Sequence, residues 1–172
     1  MSLLREMRSS RSQFSNPQEE ALLNLVATSE LLGKLGAQFL RPHGVSRAHF
    51  NILLLLRYEG AEGLKQVEIS RRLIITSANV SVLLDRLEAR GWITREMIDR
   101  RTNLVRLSPA GRQVLDQVEP IYNQRVIQVM SGLDASELNA LTRLLEKLRG
   151  GLMALAGSAK QNAPVNQAAP AK

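Results

Sequence analysis

The chain of 172 residues contains no cysteine. That excludes disulfides, thiolate nucleophiles and thiol redox switches, and a chain without disulfides fits the cytosol. Histidine is almost as scarce. His43 and His49 are the only two, each expected in a loop or at the surface, and a zinc site needs three or four donors. No metal and no cofactor is therefore expected. Aromatic residues are few as well: three phenylalanines, two tyrosines and one tryptophan. Leu, Ile and Val must build the core, and no stacking platform of the kind RNA-binding modules use is in sight. No apolar run approaches the eighteen or more residues of a membrane span, the longest being Ile52 to Leu56. The opening MSLLREMRSSRSQF is charged but has no apolar core, so it is not expected to be a secretory signal. Phosphate-cradling glycine loops, HExxH and G-x-S-x-G are all missing, and no carboxylates pair in an apolar setting. An enzyme is not expected.

What is present is positive charge, and it is concentrated. The formal net charge is +7. Between Lys65 and Arg112 lie Lys65, Arg71, Arg72, Arg86, Arg90, Arg95, Arg100, Arg101, Arg106 and Arg112, against Glu68, Asp85, Glu88, Glu96 and Asp99, which leaves +5 in that segment. All but one of these bases are arginine, whose planar fork suits phosphate and guanine. A basic segment alone is usually a solvated surface. Its coincidence with a DNA-binding pattern points to nucleic acid.

That pattern is Thr76 to Leu107. Val80, Leu83, Leu84 and Leu87 recur at helical spacing. Thr76 can cap the first turn, and Gly91 can take the left-handed conformation that ends a helix. The other face carries Ala78, Asn79, Ser81, Val82, Asp85 and Arg86, small and neutral toward its start. From Ile93 the period changes to two, with a polar, doubly basic break at Ile98 to Thr102, as in a β-hairpin with a charged tip. Gln66 to Leu73 reads as a shorter helix, with Val67, Ile69, Ser70 and Leu73 able to face inward, and Ile74 to Thr76 as the turn between the two helices. Together these make a winged helix-turn-helix. Its second helix would enter a major groove, and its hairpin would reach along the backbone or into the minor groove.

The rest of the chain frames this unit. Residues 1–16 read as a flexible basic arm. Asn16-Pro17 starts a long apolar helix that Arg41-Pro42-His43-Gly44 ends, giving a dimerisation helix over 17–44. The DNA-binding domain then spans 45–108, with Ser46 capping a central helix to Tyr58 and Leu64 opening a short strand that joins the hairpin. A helix from Ser108-Pro109 is expected to reach Met130, kinked or broken near Glu119 by Pro120. Asp134 and Glu137 form a capping box for the last helix, so that 109–156 holds C-terminal dimerisation helices. The Ala/Pro/Asn/Gln-rich stretch 157–172 is expected to be a disordered tail. The fold class is therefore mainly α with a small β-hairpin: a winged helix-turn-helix plus a helical dimerisation region. The apolar terminal helices have no core of their own, which predicts a homodimer reading half-sites about 10–10.5 base pairs apart.

Leu83-Leu84-Asp85-Arg86-Leu87-Glu88-Ala89-Arg90-Gly91-Trp92-Ile93, then Asp99-Arg100-Arg101, then Val105 to Gly111 (VRLSPAG) closely resembles the MarR family of bacterial transcriptional regulators. The resemblance covers roughly residues 17–153. It implies a dimeric protein on palindromic promoter DNA, mostly a repressor, often released by small phenolic or aromatic carboxylate ligands. It further implies that Asp99 and Arg101 shape the wing, a carboxylate fixing a guanidinium fork, with Arg100 beside them and an arginine near the tip drawn to the minor groove. The stretch between Gly91 and Asp99 is about two residues shorter than in many members, so a short wing is expected. Peroxide sensing through cysteine is excluded.

The candidate DNA-binding residues are Arg71 and Arg72, which could meet phosphates, then Ser77, Asn79, Ser81 and Arg86 on the second helix, and Arg95, Asp99, Arg100 and Arg101 on the hairpin. Trp92 is read as core. Phe39, His43, Arg47 and Tyr58 fall around the junction of the first two helices, where the resemblance places a ligand cleft. An aromatic wall with a cation would suit a small aromatic acid, and ordinary packing is the alternative. The expected partners are double-stranded DNA, a second copy of the chain and such an acid, with no membrane. The expected location is the bacterial cytoplasm, on the nucleoid when DNA is bound. A non-specific architectural DNA-binding protein without a ligand is the alternative function.

Overall fold

A computed structural model describes residues 14, 16–99 and 102–161. The chain divides into two compact units, residues 1–124 and 125–172. Among the described residues the first unit begins with helix α1 (Pro17–Leu40), a 3-10 turn (Arg41–His43) and α2 (Arg47–Glu59). Strand β1 (Leu64–Lys65), α3 (Gln66–Leu73) and α4 (Ser77–Ala89) follow, then β2 (Ile93–Asp99) and β3 (Thr102–Leu107). Helix α5 (Pro109–Met130) runs on into the second unit, which also holds α6 (Ala135–Gln161). No helix among the described residues is long and apolar enough to cross a membrane.

Local chemistry sets the element boundaries. The Asn16 side chain accepts the Glu19 N–H at 2.8 Å and starts α1. Ser46 accepts from His49 and starts α2, and Thr76 accepts from Asn79 and starts α4. Asp134 and Glu137 exchange bonds at 2.9 and 2.8 Å, closing the expected capping box of α6. Gly91, at φ +69°, ends α4 as anticipated. The sheet is antiparallel in the order β1-β3-β2, so Leu64 does join the hairpin, opposite Val105. The ladder extends into the expected tip, with a register irregularity between Met97 and Asp99.

The core belongs to the first unit. Phe50, Ile52, Leu53 and Leu56 of α2 pack with Ile69, Val80, Leu84, Leu87, Ile93, Val105, Leu107, Leu115 and Val118. Tyr122 of α5 meets the Phe50 ring with centroids 4.8 Å apart. Among the described residues, α1 adds Leu40 to this cluster.

Four expectations are corrected. His49 is neither in a loop nor at the surface: it stands in α2 and is only 6% exposed, because its position in the turn before Phe50 and Leu53 turns it toward the core. Of the two effects expected of Pro120, a kink or a break, the break does not occur: α5 runs without interruption from Pro109 to Met130, the expected end. Helix α6 continues to Gln161, beyond the expected end near 156. Val67 points outward from α3, where Ile69 and Ser70 fill the inner side.

One residue of the helix-turn-helix is strained. Ile74 closes α3 at φ 54° and ψ 44°, the left-handed region. Its N–H bonds back into α3, and Ile75 N–H reaches the Ser70 carbonyl at 3.2 Å. A β-branched residue is ill suited to this conformation, and Ile74 is 68% exposed, so its side chain recovers little by burial. Ile74→Asn, which tolerates the left-handed region, is expected to raise stability by about 0.5–1 kcal/mol. Urea unfolding checks this, and a lowered midpoint would count against it.

Candidate nucleic-acid interface

Helix α4 buries one side completely. Val80, Leu84 and Leu87 are inaccessible, Leu83 is partly so, and Ser81 and Glu88 are half-buried along one edge. The opposite side, Ala78, Asn79, Val82, Asp85, Arg86 and Ala89, is exposed. Its middle is small and uncharged, so the helix can sink into a groove about 12 Å wide. Ser77 opens this helix, and its side chain lies outside the described residues.

The charges around α4 divide into braces and available groups. Arg95 of β2 bonds Glu88 through Nε at 2.9 Å and Asp85 through a terminal nitrogen at 2.8 Å. The wing is thereby held against α4, and one positive charge offsets part of the negative charge of two carboxylates that would repel phosphates. Arg106 pairs with Glu96 across the hairpin, and Arg72 pairs with Glu59 at 2.6 Å. Arg71 and Arg86 are exposed, and neither is in an ion pair among the described residues. Asp99 lies exposed at the end of β2. Arg100 and Arg101, expected at the wing tip, lie outside the described residues. Of the expected DNA-contacting groups, the structure thus places Asn79 and Arg86 on one exposed surface. Ser81 stands at its half-buried edge, and Arg95 is turned to bracing.

The wing is tied to α5 by the Ser-Pro-Ala-Gly turn. Ser108 Oγ donates to the Gly91 carbonyl at 2.6 Å and accepts the Gly111 N–H at 3.0 Å, while Ser108 N–H donates to the Trp92 carbonyl at 3.1 Å. Trp92 is partly buried against the core, as read from the sequence, and the Arg90 guanidinium lies over its ring at 4.7 Å. Arg90 also donates to the Gly44 carbonyl, joining the end of α4 to the loop before α2.

His49 lies close to this junction, and no partner for its buried Nε2 is found among the described residues. Burial, and then the Arg90 and Arg86 cations, hold its pKa below the ordinary value. The folded protein therefore takes up this proton less readily than the unfolded chain, whose imidazole titrates near pH 6.5. Below that pH the unfolded state binds the extra proton, so stability falls as pH falls, until the folded state protonates too. His49→Leu is expected to flatten this loss between pH 6.5 and 5. Parallel urea midpoints for both proteins across that range would contradict it.

The expected ligand residues do not converge. Arg47 crosses α1 so closely that a Cβ on Gly33 would stand 2.7 Å from its guanidinium nitrogen. Beside it lie two open hollows that share Ala37 and Arg47, one bordered by Arg41, Gly44 and Ser46, the other by Glu30, Gly33 and Lys34. His43 is exposed in the adjoining turn, and Phe39 is half-buried. Tyr58 stands elsewhere: eleven residues along α2 from Arg47, or about 16 Å, it bonds Glu119 while its neighbour Arg57 pairs with Glu119 at 2.8 Å and with Asp116. Sequence spacing hid this, because both residues belong to one helix whose two ends face different neighbours. The cations Arg41 and Lys34, missed from the sequence, border one hollow each.

Comparison with known proteins agrees with this geometry. Residues 43–101 match the model of the MarR family. The HTH-type transcriptional regulator YkoM of Bacillus subtilis is 35% identical over 109 residues, which is 62% of this chain and 70% of YkoM. The Streptomyces coelicolor regulator Sco3205, solved in complex with DNA, superposes with a TM-score of 0.75 at 22% identity, over 84% of this chain and 93% of that one. CouR of Rhodococcus jostii, solved with p-coumaroyl-CoA, superposes with a TM-score of 0.69 at 18% identity, over 78% and 95%. Mainly helical, with a three-stranded wing and an exposed α4, the chain belongs to the MarR family of winged-helix, DNA-binding transcriptional regulators, which are not enzymes.

Proposed function

We propose that the protein is a homodimeric repressor of the cytoplasm that sits on a palindromic operator and leaves it when a small aromatic acid binds. The observation that carries the DNA half of this reading is the exposed, small and neutral side of α4, with Arg86 along it and Arg71 exposed on α3. Such a surface enters a major groove while the arginines meet phosphates, and the wing residues Asp99, Arg100 and Arg101 extend the contact. The dimer is supported by the apolar sides that α1 and α6 leave exposed. The effector half is supported by the hollow that Arg41 and Arg47 border, where two cations suit a carboxylate; Lys34 borders the neighbouring hollow beside Glu30. CouR, a neighbour in fold, was solved with an aromatic acyl thioester.

Selection of bound duplexes from a random DNA pool, followed by titration of the winner with aromatic acids, tests both halves. A palindromic consensus released by one acid is the expected result. A palindrome released by none would remove the effector. Binding without any consensus would replace the repressor by a non-specific architectural protein, and its affinity would then follow salt alone.

A further inference from the structure

The middle of the α4 surface is apolar. Val82 is 50% exposed, with Ala78 one turn before it and Ala89 two turns after it, both exposed. The polar groups stand to the sides: Asn79 and Arg86 on one, Asp85 on the other, with its carboxylate held by Arg95 at 2.8 Å. Val82 is therefore the foremost side chain of the helix, and half of it is open to solvent among the described residues. An exposed valine contributes nothing to the core here, and as a β-branched residue it is a mediocre choice for an exposed helix site.

The floor of a major groove offers mainly hydrogen-bonding edges. Guanine and adenine show N7, guanine O6, and adenine and cytosine an amino group; the one methyl group is the C5-methyl of thymine. Two valine methyls pressed against a polar edge would leave it desolvated without a partner, which is unfavourable. Against a thymine methyl they bury apolar surface on both sides. Ala78, with a single methyl, lets the helix approach closely enough for that contact.

Resting on the DNA-binding reading above, we propose that Val82 is a specificity-determining residue that reads one thymine in each half-site through its C5-methyl. Asn79, on the adjacent exposed position, is placed to take a neighbouring base edge, and Ser81 is too far toward the core to do so.

Deoxyuridine, which is thymine without that methyl, gives the test. The full-length protein is offered its selected operator with each thymine of a half-site replaced in turn, together with the symmetry-related one. One replacement is expected to weaken the wild type about fourfold per half-site, the loss of roughly one buried methyl. Val82→Ala is expected to bind the unmodified operator more weakly by a similar factor and to be indifferent to the same replacement. The variant truncates a half-exposed side chain outside the buried core and improves helix propensity, so it folds, which circular dichroism confirms. If no thymine is sensitive, or if Val82→Ala keeps the sensitivity, the assignment is overturned while the regulator reading stands. If the pool yields no enriched sequence, both fall.

Discussion

Gly111→Ala is expected to destabilise the protein by about 3 kcal/mol, near the upper end of overpacking costs, and to lower its melting temperature by roughly 10 °C. Gly111 is buried in the first turn of α5, where that helix crosses the start of the wing. A Cβ there would stand 2.1 Å from the Trp92 carbonyl oxygen and 2.8 Å from Leu107 Cδ1. The nearest atom is backbone, and it cannot yield freely, since the Trp92 carbonyl accepts the Ser108 N–H. Either that bond opens or α5 tilts away from the wing, and each route also disturbs the bonds that Ser108 Oγ makes to Gly91 and Gly111. Gly150→Ala is the matched control. It stands in α6 with nothing within 4 Å of a new Cβ, so alanine is expected to add up to about 1 kcal/mol by helix propensity. Urea unfolding of the three proteins decides the matter. Equal midpoints for Gly111→Ala and wild type would mean that the turn is looser than its hydrogen bonds imply.

The Ser-Pro-Ala-Gly turn also separates what could be read from the sequence from what could not. Its residues drew the family resemblance, and the helix start and the wing were placed correctly from Ser108-Pro109 and from the period of two after Ile93. The reason for the glycine was not legible, because the atom it makes room for belongs to Trp92, distant along the chain. The same division holds at the interface. Periodicity assigned Val80, Leu84 and Leu87 to the core and Asn79 and Arg86 to the outside, since a helix has one period and two sides. It missed that Ser81 is half-buried and that Val82 leads the exposed surface, because that depends on how α4 is rotated against α2. Arg95 looked like one more basic residue; Asp85 and Glu88, which occupy it, lie on another element. His49 was read by residue type, and helix α2 overrode the type. Tyr58 was grouped with Arg47 by nearness in sequence, although a helix carries residues eleven apart to opposite ends.

Leu148→Glu is expected to convert the protein to a monomer and to weaken operator binding by about a hundredfold or more. Leu141, Leu144, Leu148, Leu152 and Leu155 follow one another at spacings of three and four along α6, and each is between 36% and 70% exposed. They cover about 21 Å of helix. Helix α1 shows a similar surface in Leu22, Val26, Leu32 and Leu35. An apolar surface of this length in a DNA-binding chain is well suited to a second copy of that chain, and the i, i+3, i+7 order is that of a helix seam. A carboxylate at its middle would have to be desolvated among leucines, a cost that Lys147 at the border of the same groove offsets only in part. The effect on DNA follows from geometry. In a dimer the second recognition helix meets its half-site at an effective concentration near millimolar, whereas a monomer must bind each half-site alone, with affinity close to the non-specific range of about 10⁻⁴–10⁻⁶ M. Sedimentation and operator titration are measured on the same sample, with circular dichroism to establish that α6 remains helical. A helical Leu148→Glu protein that still sediments as a dimer would remove this surface from the interface, and the operator would then have to be read by copies joined elsewhere.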